Sequence, residues 1–247
     1  MFRFQKILLS ALASLLIAPL AQASLIHPDV MGATVTFKNI EESSPSSDPL
    51  PLYGQPGTNG DELIFPTTGN FSASSLDGNA SDQTDGKLNL MIVAKSGFFL
   101  DSFTISEEGL VLLDAPFGGD AFASVNAFGI AKVVEVSGVP VNIPVINFFL
   151  SASPLGGQYQ LSVIGGSSYA AGWQASSLVG LPQNTTKVNL TLDNNLFASS
   201  TGQGTRAFID KKAFEIDVET SVPEPHTLLL GVAGILAFAG SRRGSFA

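Results

Sequence analysis

The sequence predicts an all-β protein. Residues 24–221 read as a single antiparallel β-sandwich, jelly-roll-like, flanked by an N-terminal signal peptide and a short C-terminal membrane helix. Three observations predict it. Apolar and polar residues alternate at period two in several runs, as in "KVNLTLD", where Val188, Leu190 and Leu192 point one way and Asn189, Thr191 and Asp193 the other. Turn signals such as DG, GG, SG and NN separate such runs at intervals of about ten residues. No run between the two ends carries a helical stripe.

The strand runs follow in order. "ATVTFKNI" (33–40) is first, "DELIFP" (61–66) second and "GKLNLMIVAK" (86–95) third. Then come "FFLDSFTISEEG", "DAFASVNAFGIAKVVEVSG", "VINFFLSAS" and "GQYQLSVIGG". "TKVNLTLDN" and "RAFIDKKAFEIDVET" close the set, the latter repeating the alternation with Phe214, Ile216 and Val218. "EESSPSSDPLPLYGQPGTNG" (41–60) is rich in Pro, Ser and Gly and reads as a long loop or edge crossover. No fixed repeat is present, which counts against a solenoid.

Both ends address a membrane. "MFRFQK" carries Arg3 and Lys6, an apolar stretch spans 7–21, and "AQA" precedes Ser24. This is the layout of a secretory signal peptide over residues 1–23, cut between Ala23 and Ser24. At the other end, the apolar run 227–240 is 14 residues long. At 1.5 Å per residue it spans roughly 21 Å, short of a hydrocarbon core about 30 Å thick. It suits a transient stop better than a permanent anchor. Arg242 and Arg243 follow it, where the positive-inside tendency holds them in the cytoplasm. Before it, Pro223 and Pro225 keep the backbone extended and open to a processing enzyme.

"VPEP" (Val222, Pro223, Glu224, Pro225), the short Gly/Ala/Leu-rich segment and the terminal "SRR" resemble the PEP-CTERM sorting signal, also known as the ice-binding-protein C-terminal domain. The resemblance implies recognition by an exosortase, a membrane cysteine transpeptidase-like enzyme of Gram-negative bacteria that make exopolysaccharide. His226 departs from the small polar residue more usual after the motif. More weakly, "FLDSFTISEEG", "AAGWQASSLVGL" and the stretch from "TKVNLTLDN" to "AFEIDV" resemble the β-rich body of the same group. That likeness implies a shared fold and assigns no activity.

Composition narrows the chemistry. Lys and Arg number 12 against 21 Asp and Glu, a net charge of −9. Four of the basic residues lie in the two ends, leaving 8 against 20 over residues 24–221. Such a surplus argues against nucleic acid, whose binding rests on phosphate neutralisation. The chain has no cysteine, hence no thiol nucleophile and no disulfide. Its two histidines, His27 and His226, sit near the termini, which disfavours a Ser-His-Asp triad or a His-rich zinc site. No cofactor is expected.

Three constellations remain. Glu107 and Glu108 are adjacent, so a strand would point them to opposite faces; Glu107 with Asp101 or Asp114 is the alternative carboxylate pair. Asp77, Asn79, Ser81, Asp82 and Asp85 place oxygens at near-alternate positions, which suits calcium. Against an EF-hand, the sixth position is Asp82 where glycine is required, and no Glu closes the loop. A plain polar loop is the other reading. Trp173, Tyr159 and Tyr169 offer flat faces for sugar rings, or else fill the sandwich core. The expected role is that of a secreted envelope or biofilm-matrix protein, structural or adhesive and associated with exopolysaccharide. A glycan-binding module is the alternative and a glycoside-active enzyme the third reading. The latter needs two carboxylates across an open cleft.

Overall fold

The computed structural model describes residues 24–67 and 69–222. The signal segment with Ala23, the sorting residues Pro223, Glu224, Pro225, Arg242 and Arg243, and the apolar run 227–240 lie outside the described residues. Ser24 and Val222 lie within them.

The described chain is almost wholly strand, and all pairings in its one continuous sheet are antiparallel. In order the strands are β1 (Ser24–Ile26), β2 (Val30–Met31), β3 (Val35–Ser43), β4 (Gly57–Asn59), β5 (Glu62–Phe65) and β6 (Ser72–Leu76). The long central strands follow: β7 (Asp82–Ala94), β8 (Phe99–Asp114) and β9 (Asp120–Val136). Four short edge strands come next, β10 (Val139–Pro140), β11 (Ile146–Phe149), β12 (Ser151–Ser153) and β13 (Gln158–Gln160). The last two are β14 (Ser168–Thr201) and β15 (Arg206–Ser221).

β14 joins two leaves. Its first half pairs with β8 and β12; its second half pairs with β7 and β9. One leaf thus runs β1-β3-β7-β14-β9, with β10, β11 and β13 beyond β9. The other runs β12-β14-β8-β15, with β5 and β6 beyond β15 and β4 on β5. The expected all-β antiparallel fold is observed. Its two layers are leaves of one sheet curled into a half-barrel.

Burial follows the period-two pattern. Leu88, Leu90 and Ile92 of β7 face inward, as do Val188, Leu190 and Leu192 of β14 and Phe214, Ile216 and Val218 of β15. They form one core, bridged by Phe103 of β8 against Phe148 of β11, ring centroids 5.9 Å apart. Each fully buried side chain of this kind contributes about 1.5–3 kcal/mol. Gly109 has a packing reason: a Cβ there would stand 2.6 Å from the Trp173 ring and 1.9 Å from the Asp210 carbonyl oxygen.

Three local expectations change. The "GQYQLSVIGG" run is strand only through β13; Leu161–Ile164 form a helical turn. The Asp120 carboxylate accepts bonds from Ser162 N at 2.9 Å and Ser162 Oγ at 2.7 Å, which holds the turn shut. The strand run expected from Thr186 onward starts much earlier: β14 begins at Ser168 and continues through "LPQNTT" (181–186). Pro182 supplies no donor, Asn184 takes φ 60°, and the register shifts between Gly180 and Thr185 as the strand changes partners. Finally, the Pro/Ser/Gly loop is not all surface. Leu52 and Tyr53 are fully buried, and the Tyr53 ring meets Phe65, Phe71 and Phe214 edge-on at 5.8, 5.2 and 5.1 Å.

Glu42 makes that burial possible. Its Oε2 accepts the backbone N–H groups of Leu52 and Tyr53 at 2.8 and 2.9 Å, and its Oε1 meets His27 Nε2 at 2.8 Å. The Tyr53 hydroxyl donates to the Gly86 carbonyl at 3.0 Å and accepts from Asn194 Nδ2 at 3.0 Å. His27, expected near a free N-terminus, is thereby a buried structural residue.

Candidate functional site

The outward face of the β12-β14-β8-β15 leaf carries a polar groove. Alternation sends Ser106 and Glu108 of β8 outward, along with Gln174 and Ser176 of β14. Register then sets them in two rows. Ser176 lies between Ser151 and Ser106, and Ser106 opposes Glu215. Gln174 lies between Ser153 and Glu108, and Glu108 opposes Ala213. The depression over these rows encloses about 440 Å³. A second one of about 370 Å³ continues it past Gly172 to Lys212, whose ammonium pairs with Asp210.

The groove is acidic. Burial raises the Glu215 carboxyl above its ordinary value, and the hydrogen-bonded neighbour Glu62 adds to the effect, followed by Glu108 and Asp217. Glu108 and Glu215 stand diagonally across β8 and β15, a relation that places Cβ atoms about 7–8 Å apart in an antiparallel pair. The first depression therefore holds hydroxyl, amide and carboxyl groups and no aromatic lining residue. It can exchange hydrogen bonds with a neutral polyol and repels anions.

The sequence-derived candidates fall elsewhere. Glu107 and Glu108 do point to opposite faces: Glu107 is buried and Glu108 exposed. Asp101 is exposed and accepts from Ser221 Oγ at 2.8 Å, and Asp114 pairs across to Ser168 and Arg206 at the far end of β8. Neither shares a cleft with Glu107.

Trp173 is 1% exposed, and its indole N–H donates to the Asp210 carbonyl at 3.0 Å. Tyr159 is also buried and stacks on half-buried Tyr169, centroids 6.1 Å apart. Burial, then the neighbouring Tyr169, pushes the Tyr159 hydroxyl up to about 12. Neither Trp173 nor Tyr159 has a ring face open to a sugar; core packing between the leaves occupies them.

The calcium candidates diverge. Asp77 Oδ1 accepts Gly204 N at 2.7 Å, and Asp82 Oδ2 accepts Ser74 N at 2.8 Å. Asn79 closes a backbone turn onto Leu76, and Ser81 is exposed beside it. Asp85 lies further along β7, where burial, then Asp193, then Asp48 raise its carboxyl to about 6. Among the described residues, no group of three or more His, Asp or Glu is arranged to hold a metal ion.

Sequence reasoning missed an aromatic surface. On the outward face of the other leaf, Phe128 and Phe149 lie 5.0 Å apart and Phe122 and Phe197 6.0 Å apart. Phe149 is 70% exposed. The outward parity of Phe122 and Phe128 within "DAFASVNAFG" was the available signal.

Fold and groove define a single all-β antiparallel body with a polar, acidic surface depression. The segment that follows it defines the protein further. The family model of the PEP-CTERM protein-sorting motif matches residues 221–243. Residues 221–243 of the chain thus carry a PEP-CTERM sorting motif, and such a motif implies export and exosortase-mediated sorting. No curated protein matches the chain. Among solved structures, the enzymatically active domain of tailspike protein 4 of bacteriophage CBA120 is similar at 10% identity, over 81% of this chain and 19% of that one, with TM-score 0.22. TmCBM61, solved in complex with β-1,4-galactotriose, is similar at 8% identity, over 74% of this chain and 90% of that one, with TM-score 0.25. Among the described residues no helix is long and apolar enough to cross a membrane.

Proposed function

We propose that this chain is an exported cell-envelope or extracellular-matrix protein with a structural or adhesive role alongside exopolysaccharide. A signal peptide over residues 1–23 delivers it. The apolar run 227–240 holds it briefly in the inner membrane, and an exosortase acts near residues 222–225. The observation that carries this reading is the join between fold and motif. β15 remains paired up to Ser221, opposite Phe99, and the matched motif begins at the same residue. Cutting beyond that point removes no ladder hydrogen bond, so the body leaves whole. The test is cell fractionation with immunoblotting in an exosortase-bearing host. Wild type should appear outside, and Glu224→Ala should remain in the inner membrane at full length. Equal release of both would overturn the reading.

The groove favours a second role, binding a neutral glycan through Ser106, Glu108, Gln174 and Ser176. Affinity electrophoresis in the host's exopolysaccharide tests it: Gln174→Ala with Glu108→Ala should abolish retardation. New reducing ends, lost in Glu108→Gln, would replace binding with glycoside cleavage.

A further inference from the structure

Lys211 and Glu107 form a fully buried lysine–carboxylate pair; among the described residues His27–Glu42 is the other buried pair, and there the Leu52 and Tyr53 amides also bond the carboxylate. The Lys211 and Glu107 side chains have no exposed surface, and Nζ lies 2.9 Å from Oε1. The Lys187–Glu135 and Lys212–Asp210 pairs, by contrast, are partly wet. Beyond each other, neither Lys211 nor Glu107 has a hydrogen-bond partner for its charged head among the described residues. The ammonium instead sits over three rings, 4.4 Å from the Phe71 centroid and 5.4 Å from those of Tyr53 and Phe214. A bulge between Lys211 and Ala213 creates this placement. It lets Ala207, Ile209 and Lys211 face inward before it and Phe214, Ile216 and Val218 after it.

A dry ion pair with unmet hydrogen-bonding capacity is costly. Burial pulls the Lys211 amine down from its ordinary value, favouring its neutral, nucleophilic form. The pair is also held in contact, which replaces a bimolecular encounter by a positioned one. We propose that Lys211 and Glu107 are joined by an amide bond, an intrachain cross-link between β15 and β8.

The step balances within the pair. The ammonium passes one proton to the carboxylate, giving an amine and a carboxylic acid. The Nζ lone pair attacks Cδ, the Nζ–Cδ bond forms, and one Cδ–O bond breaks. That oxygen leaves as water, carrying two of the three ammonium protons; the third stays on the amide nitrogen. No oxidant or reductant is needed. In water the hydration of the two ions opposes condensation. Here that hydration is already lost, and the released water goes to bulk. The amide replaces two charges with a neutral group among the rings.

Intact-mass measurement of the denatured wild-type protein tests this. The chain should be lighter than its processed sequence by one water. Trypsin should spare Lys211 and yield residues 96–132 linked to residues 207–212. Lys211→Arg keeps the charge but lacks the amine, and should show the full mass. Wild type at full mass would overturn the proposal, as would a water loss mapped to any other residue. If Lys211→Arg fails to fold, the wild-type mass and peptide map still decide the matter. The cross-link does not depend on the sorting role, and either can fail alone.

Discussion

Two buried carboxylates, Glu42 and Glu107, each touch one basic side chain, yet their surroundings differ. Glu42 uses both oxygens: His27 on one, the Leu52 and Tyr53 amides on the other. Glu107 has Lys211 and no further hydrogen-bond partner among the described residues, and the lysine ammonium lies over the Phe71 ring. The first is a closed hydrogen-bond network, and a low dielectric strengthens each of its members. The second leaves capacity unmet, which the same low dielectric penalises. Glu42 therefore works as a latch that turns a Pro/Ser/Gly loop into core. Glu107 is poised for chemistry.

Breaking the latch should give the largest effect. Glu42→Ala orphans three buried donors at once and should cost about 3–5 kcal/mol in urea unfolding. A loss below about 1 kcal/mol would remove the latch from the account. Lys211→Met comes next, at about 3 kcal/mol, since it strands a buried carboxyl and removes the cross-link. Double replacements sharpen the contrast. Lys211→Met with Glu107→Leu should recover part of the single-mutant loss, because no orphan remains. His27→Leu with Glu42→Leu should recover little, because the Leu52 and Tyr53 amides stay unmet. Equal coupling energies in the two cycles would erase the distinction.

A third group of acids is smaller and wetter. Asp85 is raised to about 6 by burial, then by Asp193 and Asp48. A carboxyl raised on folding binds its proton more tightly in the native state. Stability should then fall as pH rises from the ordinary carboxylate range to about 6, and level off above it. Asp85→Asn should raise the melting temperature at pH 7 and have little effect at pH 4, a gain of about 0.5 kcal/mol after screening. A gain at both pH values would point away from charge repulsion. Asp120 shows the reverse sign. Burial opposes its charge, but bonds from Gln160 and Ser162 outweigh that and hold it below the ordinary range. Its contribution is present above the unfolded pKa and fades as pH falls through the folded one. Asp120→Asn should loosen only the turn at residues 161–164, seen as faster amide exchange there at neutral pH.

Legibility in the sequence tracked distance along the chain. The runs that became β3, β5, β7, β8, β9 and β15 were readable because inward and outward residues alternate within each. So was the opposition of Glu107 and Glu108. The β14 crossover was not, because Pro182 and Asn184 carry the signature of a turn wherever they occur. Leu161–Ile164 looked like strand, since what curls it is Asp120, far away on β9. Trp173 and Tyr159 could be read as sugar platforms or as core, because burial is set by the opposite leaf. The groove was hidden for the same reason: Ser151, Ser176, Ser106 and Glu215 come from four strands, and only register aligns them. The Lys211–Glu107 pair required both the bulge and the β8–β15 register. Within "IDKKAFEI", the phase break at Lys211–Lys212 was its sole local trace.

In the proposed role, the β-body is released from its C-terminal tail. Mass spectrometry of the C-terminal peptide, from protein recovered outside an exosortase-bearing host, tests it most directly. The account expects an end beyond Ser221 that lacks residues 227–240, with the β15 peptide intact. Surface protein still ending at Ala247 would contradict it.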